Sequence, residues 1–390
     1  MPSFPNAADT TGGLKSYVFT ALRQRISEHP GPLFRLHIGD TYLDPVVSAQ
    51  CESLRTAELE GLHRYAPVQG LPMLLDAIER KLARRTGVAV PRANLQVTAG
   101  ATGGLSITCQ ALLDVGDEVL LPSPFWPLSS GIVAARGGKA VQIPFYDKLD
   151  DPNFDVEATL EAAVTPRTVA IYLNSPNNPT GAVIDDEALS AISRVAARHD
   201  LWIFSDEVYE DLWLGDDAPA PLWTRDDFID RTVVIHSMSK GYGLAGARVG
   251  YIHGPDAAMA AIRAVQTFHT YCAAKPMQIA AARALDEGDG WLTDARQRYR
   301  AAGEVAAEAL GVPLPAGGTF LFFDASPWLD ADDADVMPLL HRCLDAGVIV
   351  TPGGASGDAY QRWMRVCFTC VAPDELRAGL GLLQQVLGRS

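Results

Sequence analysis

The chain has 390 residues, 48% of them hydrophobic and 20% charged, a balance suited to a globular protein large enough for about two domains. Its formal net charge of −15, with Lys and Arg dispersed along the chain, argues against a nucleic-acid partner, which would be met by clustered cations. No apolar run reaches the roughly 18 residues of a membrane span; together with an N-terminus lacking a leader pattern and six irregularly spaced cysteines, this predicts a reduced cytoplasmic setting.

In chain order, residues 1–45 lack a clear core pattern and are expected to form an N-terminal arm and part of a small domain. Residues 46–267 alternate short apolar, β-branched runs with helical stretches. The spacing predicts strands at 95–98, 118–121, 169–173, 201–204, 232–236 and 248–252. A helix is predicted over 186–198, with Leu189, Ile192 and Val195 on one face. Continuous apolar strands between amphipathic helices imply an α/β domain, a three-layer, mainly parallel sheet covered on both faces. From about residue 268 the texture changes to a long Ala/Arg-rich helical region reaching about residue 310. A turn and strand at Gly317-Gly318-Thr319-Phe320-Leu321-Phe322-Phe323 follow, then a closing helix from about Pro373. Residues 268–390 are expected to form a smaller α+β domain.

The chemistry-bearing clusters follow these strands, where ligands of open α/β sheets bind. The 95–98 strand runs into Ala99-Gly100-Ala101-Thr102-Gly103-Gly104, and the 169–173 strand into Asn174-Ser175-Pro176-Asn177-Asn178-Pro179-Thr180-Gly181. The next two run into Ser205-Asp206-Glu207-Val208-Tyr209 and into Ser237-Met238-Ser239-Lys240, with Arg248 eight residues beyond. Small residues after a strand let backbone N–H groups face an anion such as phosphate, and Thr102, Ser237, Ser239 and Arg248 add donors. A lysine among small residues and near cations loses its proton readily enough to join an aldehyde. A carboxylate such as Asp206 keeps a pyridine nitrogen protonated, and Tyr209 and Asn178 can bind a ring oxygen. Taken singly, Asp206 also reads as a helix cap, Asn178 as a turn residue and Lys240 as a solvated side chain. Their conjunction in this chain order carries the chemical reading.

These strings resemble the class I/II aminotransferases, fold type I of the pyridoxal-phosphate enzymes, from about residue 38 to the C-terminus. The resemblance implies an aspartate-aminotransferase-like large domain, pyridoxal 5'-phosphate as cofactor, and amino-acid and 2-oxo-acid substrates. It implies Lys240 as Schiff-base lysine and catalytic base, Asp206 on the pyridine nitrogen, and Tyr209 and Asn178 on the phenolic oxygen. Gly100, Ala101, Thr102, Ser237, Ser239 and Arg248 are implied around the phosphate, with Trp126 stacked on the ring. Tyr65, in Tyr65-x-x-x-x-Gly70, matches a residue that reaches the neighbouring subunit's phosphate, which implies a homodimer. Arg365 matches the clamp on the substrate carboxylate, with Gly39 and Asn178 beside it. The segments Gly39-Asp40-Thr41-Tyr42 and Pro352-Gly353-Gly354-Ala355-Ser356-Gly357 depart from the family's turns and leave the substrate open. Tyr17, His37, Tyr42 and Arg263 are candidates for the substrate pocket, with a leaning toward aromatic or bulky apolar amino acids. The same anchors would serve a β/γ-eliminating lyase or a cyclopropane-forming synthase.

Other patterns point nowhere. Gly241-x-Gly243-x-x-Gly246 matches a dinucleotide fingerprint, but a strand rather than a helix is predicted after it. Cys367-x-x-Cys370 lacks further ligands nearby, and the histidines form no metal motif, so no metal is proposed.

Overall fold

The computed structural model describes residues 9–12, 14 and 22–388. Its strands are β1 (Phe34–Arg35), β2 (Leu95–Thr98), β3 (Glu118–Ser123), β4 (Lys139–Pro144), β5 (Thr168–Asn174) and β6 (Trp202–Asp206), followed by β7 (Thr232–Ser237), β8 (Gly250–His253), β9 (Phe320–Asp324), β10 (Val348–Ile349), β11 (Thr351–Pro352) and β12 (Trp363–Cys367). One seven-stranded sheet has the order β2-β8-β7-β6-β5-β3-β4. Strands β3 to β7 pair in parallel, and β8 runs antiparallel to both its neighbours.

The period-2 alternation of strand side chains divides the core between the two faces. Val119, Leu121, Phe204 and Ile235 pack with Leu105 and Ile262, from helices Gly100–Leu112 and Asp256–His269. Leu120, Ile203 and Val234 join Leu189, Ile192 and Val195 of helix Asp186–Arg198 on the other face. Each large aliphatic side chain buried in this way contributes about 1.5–3 kcal/mol. Helix Asp186–Arg198 starts where expected because the Asp185 carboxylate accepts from the Ala188 N–H at 2.8 Å.

The structure refines the sequence reading at two points and corrects it at one. The helical region expected from 268 to about 310 is two helices, Lys275–Glu287 and Asp289–Leu310, separated at Gly288, and the helix before it, Asp256–His269, ends ahead of Tyr271 (φ +64). Strand β4 went unread because, as an edge strand, it buries only one of its six residues. Arg248 is not in a strand: it sits in the left-handed region at φ +52, and β8 begins at Gly250. A Cβ at Gly250 would lie 2.5 Å from the His236 carbonyl oxygen and 2.9 Å from the Ala101 nitrogen, so only glycine lets β8 pass this close.

A second, three-stranded antiparallel sheet (β11-β12-β9) stands beside the first, and β1 pairs with β10. Helix Pro373–Val386 packs on helix Asp289–Leu310, while helix Lys275–Glu287 packs on helix Pro72–Thr86. Beneath the large sheet, Lys81 Nζ lies 2.7 Å from both Glu210 Oε1 and Asp211 Oδ2, and His236 Nδ1 lies 2.8 Å from Glu210 Oε1. Glu207, Glu210 and His236 converge closely enough to suit a cation, but the Lys81 ammonium and Arg85 guanidinium already serve that role. No helix among the described residues is long and apolar enough to cross a membrane.

Candidate active site

The carboxyl ends of β5, β6 and β7 and the turn after β2 open onto one cavity of about 220 Å³. At one end, Ala101 and Thr102 occupy the first turn of helix Gly100–Leu112, whose free N–H groups carry partial positive charge. Arg248 joins them because Gly100, at φ +71, has no side chain: a Cβ there would stand 2.6 Å from Arg248 Nη2. The Arg248 Nη1 donates to the Ala245 carbonyl at 2.9 Å. Ser237 caps the short helix Met238–Gly241 by accepting from the Ser239 N–H at 3.0 Å, which leaves its own hydroxyl proton to donate. This end is built for an anion.

In the middle stand Lys240, Asp206, Tyr209 and Asn178, with Trp126 at one side. Lys240 Nζ donates to the Gly39 carbonyl. Burial holds its ammonium below the ordinary lysine value, against the pull of Asp40, and Arg365 and Arg248 act in the same direction as burial. Asp206 is buried; burial pushes its carboxyl up to about 6, against the Tyr172 hydroxyl and the Val208 N–H that stabilise the anion. Tyr172 donates to Asp206 Oδ2 at 2.6 Å, and Asn174 Nδ2 donates to the Asp206 carbonyl at 2.8 Å. Burial likewise pushes the Tyr209 phenol up, so it stays protonated at neutral pH.

The far end is made by Arg365, which β12 carries in from the small sheet. Its Nη1 donates to Asn178 Oδ1 at 2.9 Å and its Nη2 to the His37 carbonyl at 3.0 Å, while the guanidinium lies 4.1 Å from the centre of the Phe320 ring. Phe320 also closes on Gly39, where a Cβ would lie 2.6 Å from its ring. Burial first, and then Arg35 and Arg365, push the His37 imidazole down to about 4, so the ring is uncharged at neutral pH.

Of the residues predicted from sequence to hold the cofactor or the substrate carboxylate, all line this cavity except two. Gly100 lies just behind Arg248. Tyr65 is 85% exposed on the surface, its ring edge-on to Tyr271 with centroids 5.4 Å apart. His37 lines the cavity, but Tyr42 and Arg263 do not: Tyr42 N–H donates to the Thr369 carbonyl and Arg263 to the Ala93 carbonyl. Tyr17 lies outside the described residues. The 352–357 turn borders a wider outer groove that shares Thr102 with the cavity. Sequence reasoning missed Phe320, Asn174 and Tyr172. Asn174 opens the 174–181 string and offered a signal; Phe320 and Tyr172 looked like ordinary strand residues.

Comparison with known proteins agrees with this geometry. The family model described as aminotransferase class I and II matches residues 32–382. Aspartate/prephenate aminotransferase of Thermus thermophilus is 33% identical over 349 residues, 87% of each chain. Arginine–pyruvate transaminase of Pseudomonas aeruginosa is 34% identical over 332 residues, 83% of this chain and 82% of that protein. Among solved structures, N-succinyldiaminopimelate aminotransferase from Mycobacterium tuberculosis superposes with a TM-score of 0.87 at 29% identity, covering 98% of this chain and 100% of the other.

Proposed function

The chain belongs to the class I and II aminotransferases, pyridoxal-phosphate-dependent enzymes, and from that premise we propose the following roles for its residues. The donor set suits the cofactor: a helix start with hydroxyls and Arg248 for a phosphate, and a buried acid whose hydrogen-bond donors are a phenol and an amide rather than a cation. When bound, pyridoxal phosphate supplies an aldehyde that takes up an amine and a protonated ring that withdraws the electron pair left by a departing proton. Gly100, by making room for Arg248, together with Ala101, Thr102, Ser237, Ser239 and Arg248, holds the phosphate. With the cofactor bound, Asp206 would pair with the ring nitrogen, Tyr209 and Asn178 would donate to the ring oxygen, and Trp126 would lie against one face.

Lys240 Nζ holds the aldehyde at rest. Released from the aldehyde by a substrate amine, Lys240 Nζ would be kept unprotonated enough by burial to act as the base that moves the substrate α-proton. Arg365 grips the substrate carboxylate, with Gly39 and Asn178 beside it. Its fork is pre-oriented by Asn178, the His37 carbonyl and the Phe320 face. One observation carries these roles: an amine, a buried acid and a fixed guanidinium, from three remote stretches of chain, converge on one cavity. Arg365→Lys keeps the charge but loses the planar fork, and kcat/KM for the amino acid is expected to fall about 100-fold, about 3 kcal/mol, with cofactor affinity unchanged. Steady-state kinetics check this; a change under about threefold would remove Arg365 from the role.

Ile38, Phe320, Trp126 and an uncharged His37 line the same cavity and offer a substrate side chain mostly apolar surface. We therefore assign an apolar or aromatic amino acid as donor. Profiling kcat/KM across the standard amino acids should favour phenylalanine, tyrosine, leucine or methionine over aspartate and glutamate by about tenfold or more. A preference for the acidic pair would overturn the assignment. Tyr65 and Tyr271 stand exposed edge to edge, and Phe268 is exposed three residues before Tyr271, which supports a homodimer in which Tyr65 reaches the neighbouring subunit's phosphate. The six free cysteines support a reduced, cytoplasmic location. Residues 46–267 are read as the cofactor domain and residues 1–45 with 268–390 as the second domain, whose helix Lys275–Glu287 lies against helix Pro72–Thr86.

A further inference from the structure

We propose that Tyr172 is a positioning residue of this active site, whose hydroxyl, donated to Asp206, keeps the proton of the Asp206–ring pair on the ring nitrogen. The proposal rests on the pairing of Asp206 with that nitrogen. Strands β5 and β6 pair in parallel with Tyr172 opposite Phe204 and Asn174 opposite Asp206. Tyr172 is thus the diagonal neighbour of Asp206 on the same face, a distance that a long aromatic side chain spans. Its hydroxyl ends 2.6 Å from Asp206 Oδ2. The other oxygen, Oδ1, accepts from the Val208 N–H at 3.3 Å, so Tyr172 is the shorter and stronger donor.

Packing alone does not explain this hydroxyl. The Tyr172 ring lies in the apolar layer formed by Leu121, Phe204 and Ile235, where phenylalanine would fit as well. Burial, and then the Asp206 charge, raise the phenol well above its ordinary value, so it remains a donor and never competes for the proton. The other titratable groups that act on Asp206 are Lys240, Tyr146 and Tyr209. Of these, Lys240 is the group engaged in the proposed chemistry, and Tyr172 is the side chain that hydrogen-bonds the carboxylate directly, on Oδ2, while the Val208 N–H serves Oδ1. A proton shared between a carboxylate and a pyridine nitrogen rests with the stronger base. A strong donor on Oδ2 weakens the carboxylate as a base, and the ring keeps the proton that makes it an electron sink. Asn174 completes the arrangement by holding the Asp206 backbone carbonyl while its own Oδ1 accepts from the Asn178 N–H at 2.6 Å.

The test uses the full-length protein loaded with cofactor carrying nitrogen-15 in its ring. In Tyr172→Phe the ring resonance should move from the protonated toward the neutral position, and kcat should fall about tenfold with KM within about twofold. Replacing Tyr172 by 3-fluorotyrosine, which keeps the hydroxyl, should retain the wild-type resonance. In the cofactor-free protein labelled with carbon-13 at aspartate carboxyls, the Asp206 titration, raised to about 6 in the wild type, should move higher still in Tyr172→Phe. An unmoved ring resonance in Tyr172→Phe, with Asp206→Asn shifting it, overturns the proposal alone. If Asp206→Asn leaves the resonance unchanged, the Asp206 pairing fails and the proposal falls with it.

Discussion

Lys240→Ala is expected to lower kcat by about 10⁴-fold or more, because on the proposed roles one substitution removes both the group that holds the cofactor and the base that moves the α-proton. Neither Asp206 nor Tyr209 is suited to take over. Asp206 is committed to the buried carboxyl position, and Tyr209, its phenol raised by burial, does not ionise at neutral pH. The lost ammonium also leaves the Gly39 carbonyl without its donor, a local change at the cavity wall rather than in the core. The variant should therefore melt within a few degrees of the wild type, bind pyridoxal phosphate without the visible absorbance of the lysine-bound form, and recover part of its turnover with an added small amine. Stopped-flow absorbance and single-turnover kinetics check all three. Retained visible absorbance or a kcat within tenfold of wild type would remove Lys240 from the mechanism.

Asp206→Asn is expected to reduce kcat about 10³-fold, the equivalent of about 4 kcal/mol, because a neutral amide cannot hold the positive ring proton. Its effect on the cofactor-free protein runs in the opposite direction. The folded carboxyl is raised to about 6 from an ordinary value of 3.8. As pH rises from about 4 to 6, the unfolded chain releases this proton before the folded one, so stability is present below that window and lost above it. The loss is about 3 kcal/mol from the shift of roughly two units. Asp206→Asn abolishes that penalty, so at pH 8 the cofactor-free variant should be more resistant to urea than the wild type, and at pH 4 no more so. Equal urea midpoints at pH 8 would show that the carboxylate is solvated and not poised for a cation. A protein that spends stability on a charged buried group in this way places function ahead of packing at that point.

The division between what was legible in the sequence and what was not follows the range of the signals. Lys240, Asp206, Asn178, Ser237 and Ser239 each lie within a few residues of an apolar strand, and a strand's end is written locally in the switch from β-branched to small and polar residues. Because parallel strands deliver their carboxyl ends to one edge, chain order alone brings those residues together. The sequence by itself therefore determined most of the sheet and the convergence of Lys240, Asp206 and Asn178 on one cavity. Strand β4 and the breaks at Tyr271 and Gly288 escaped because their cause is partial burial or a single backbone angle, not an apolar period. At the far end of the cavity the family resemblance pointed to Arg365 and Gly39, but their packing with His37 and Phe320 was decided by the tertiary structure. Arg365, His37 and Phe320 come from β12, the segment after β1 and β9, more than 100 residues from Lys240 in most cases, and nothing in their local pattern states that they face it. The hydroxyl of Tyr172 is the sharpest case: its position in β5 reads as one more apolar strand residue, and only the one register that sets Asn174 opposite Asp206 turns it toward the carboxylate.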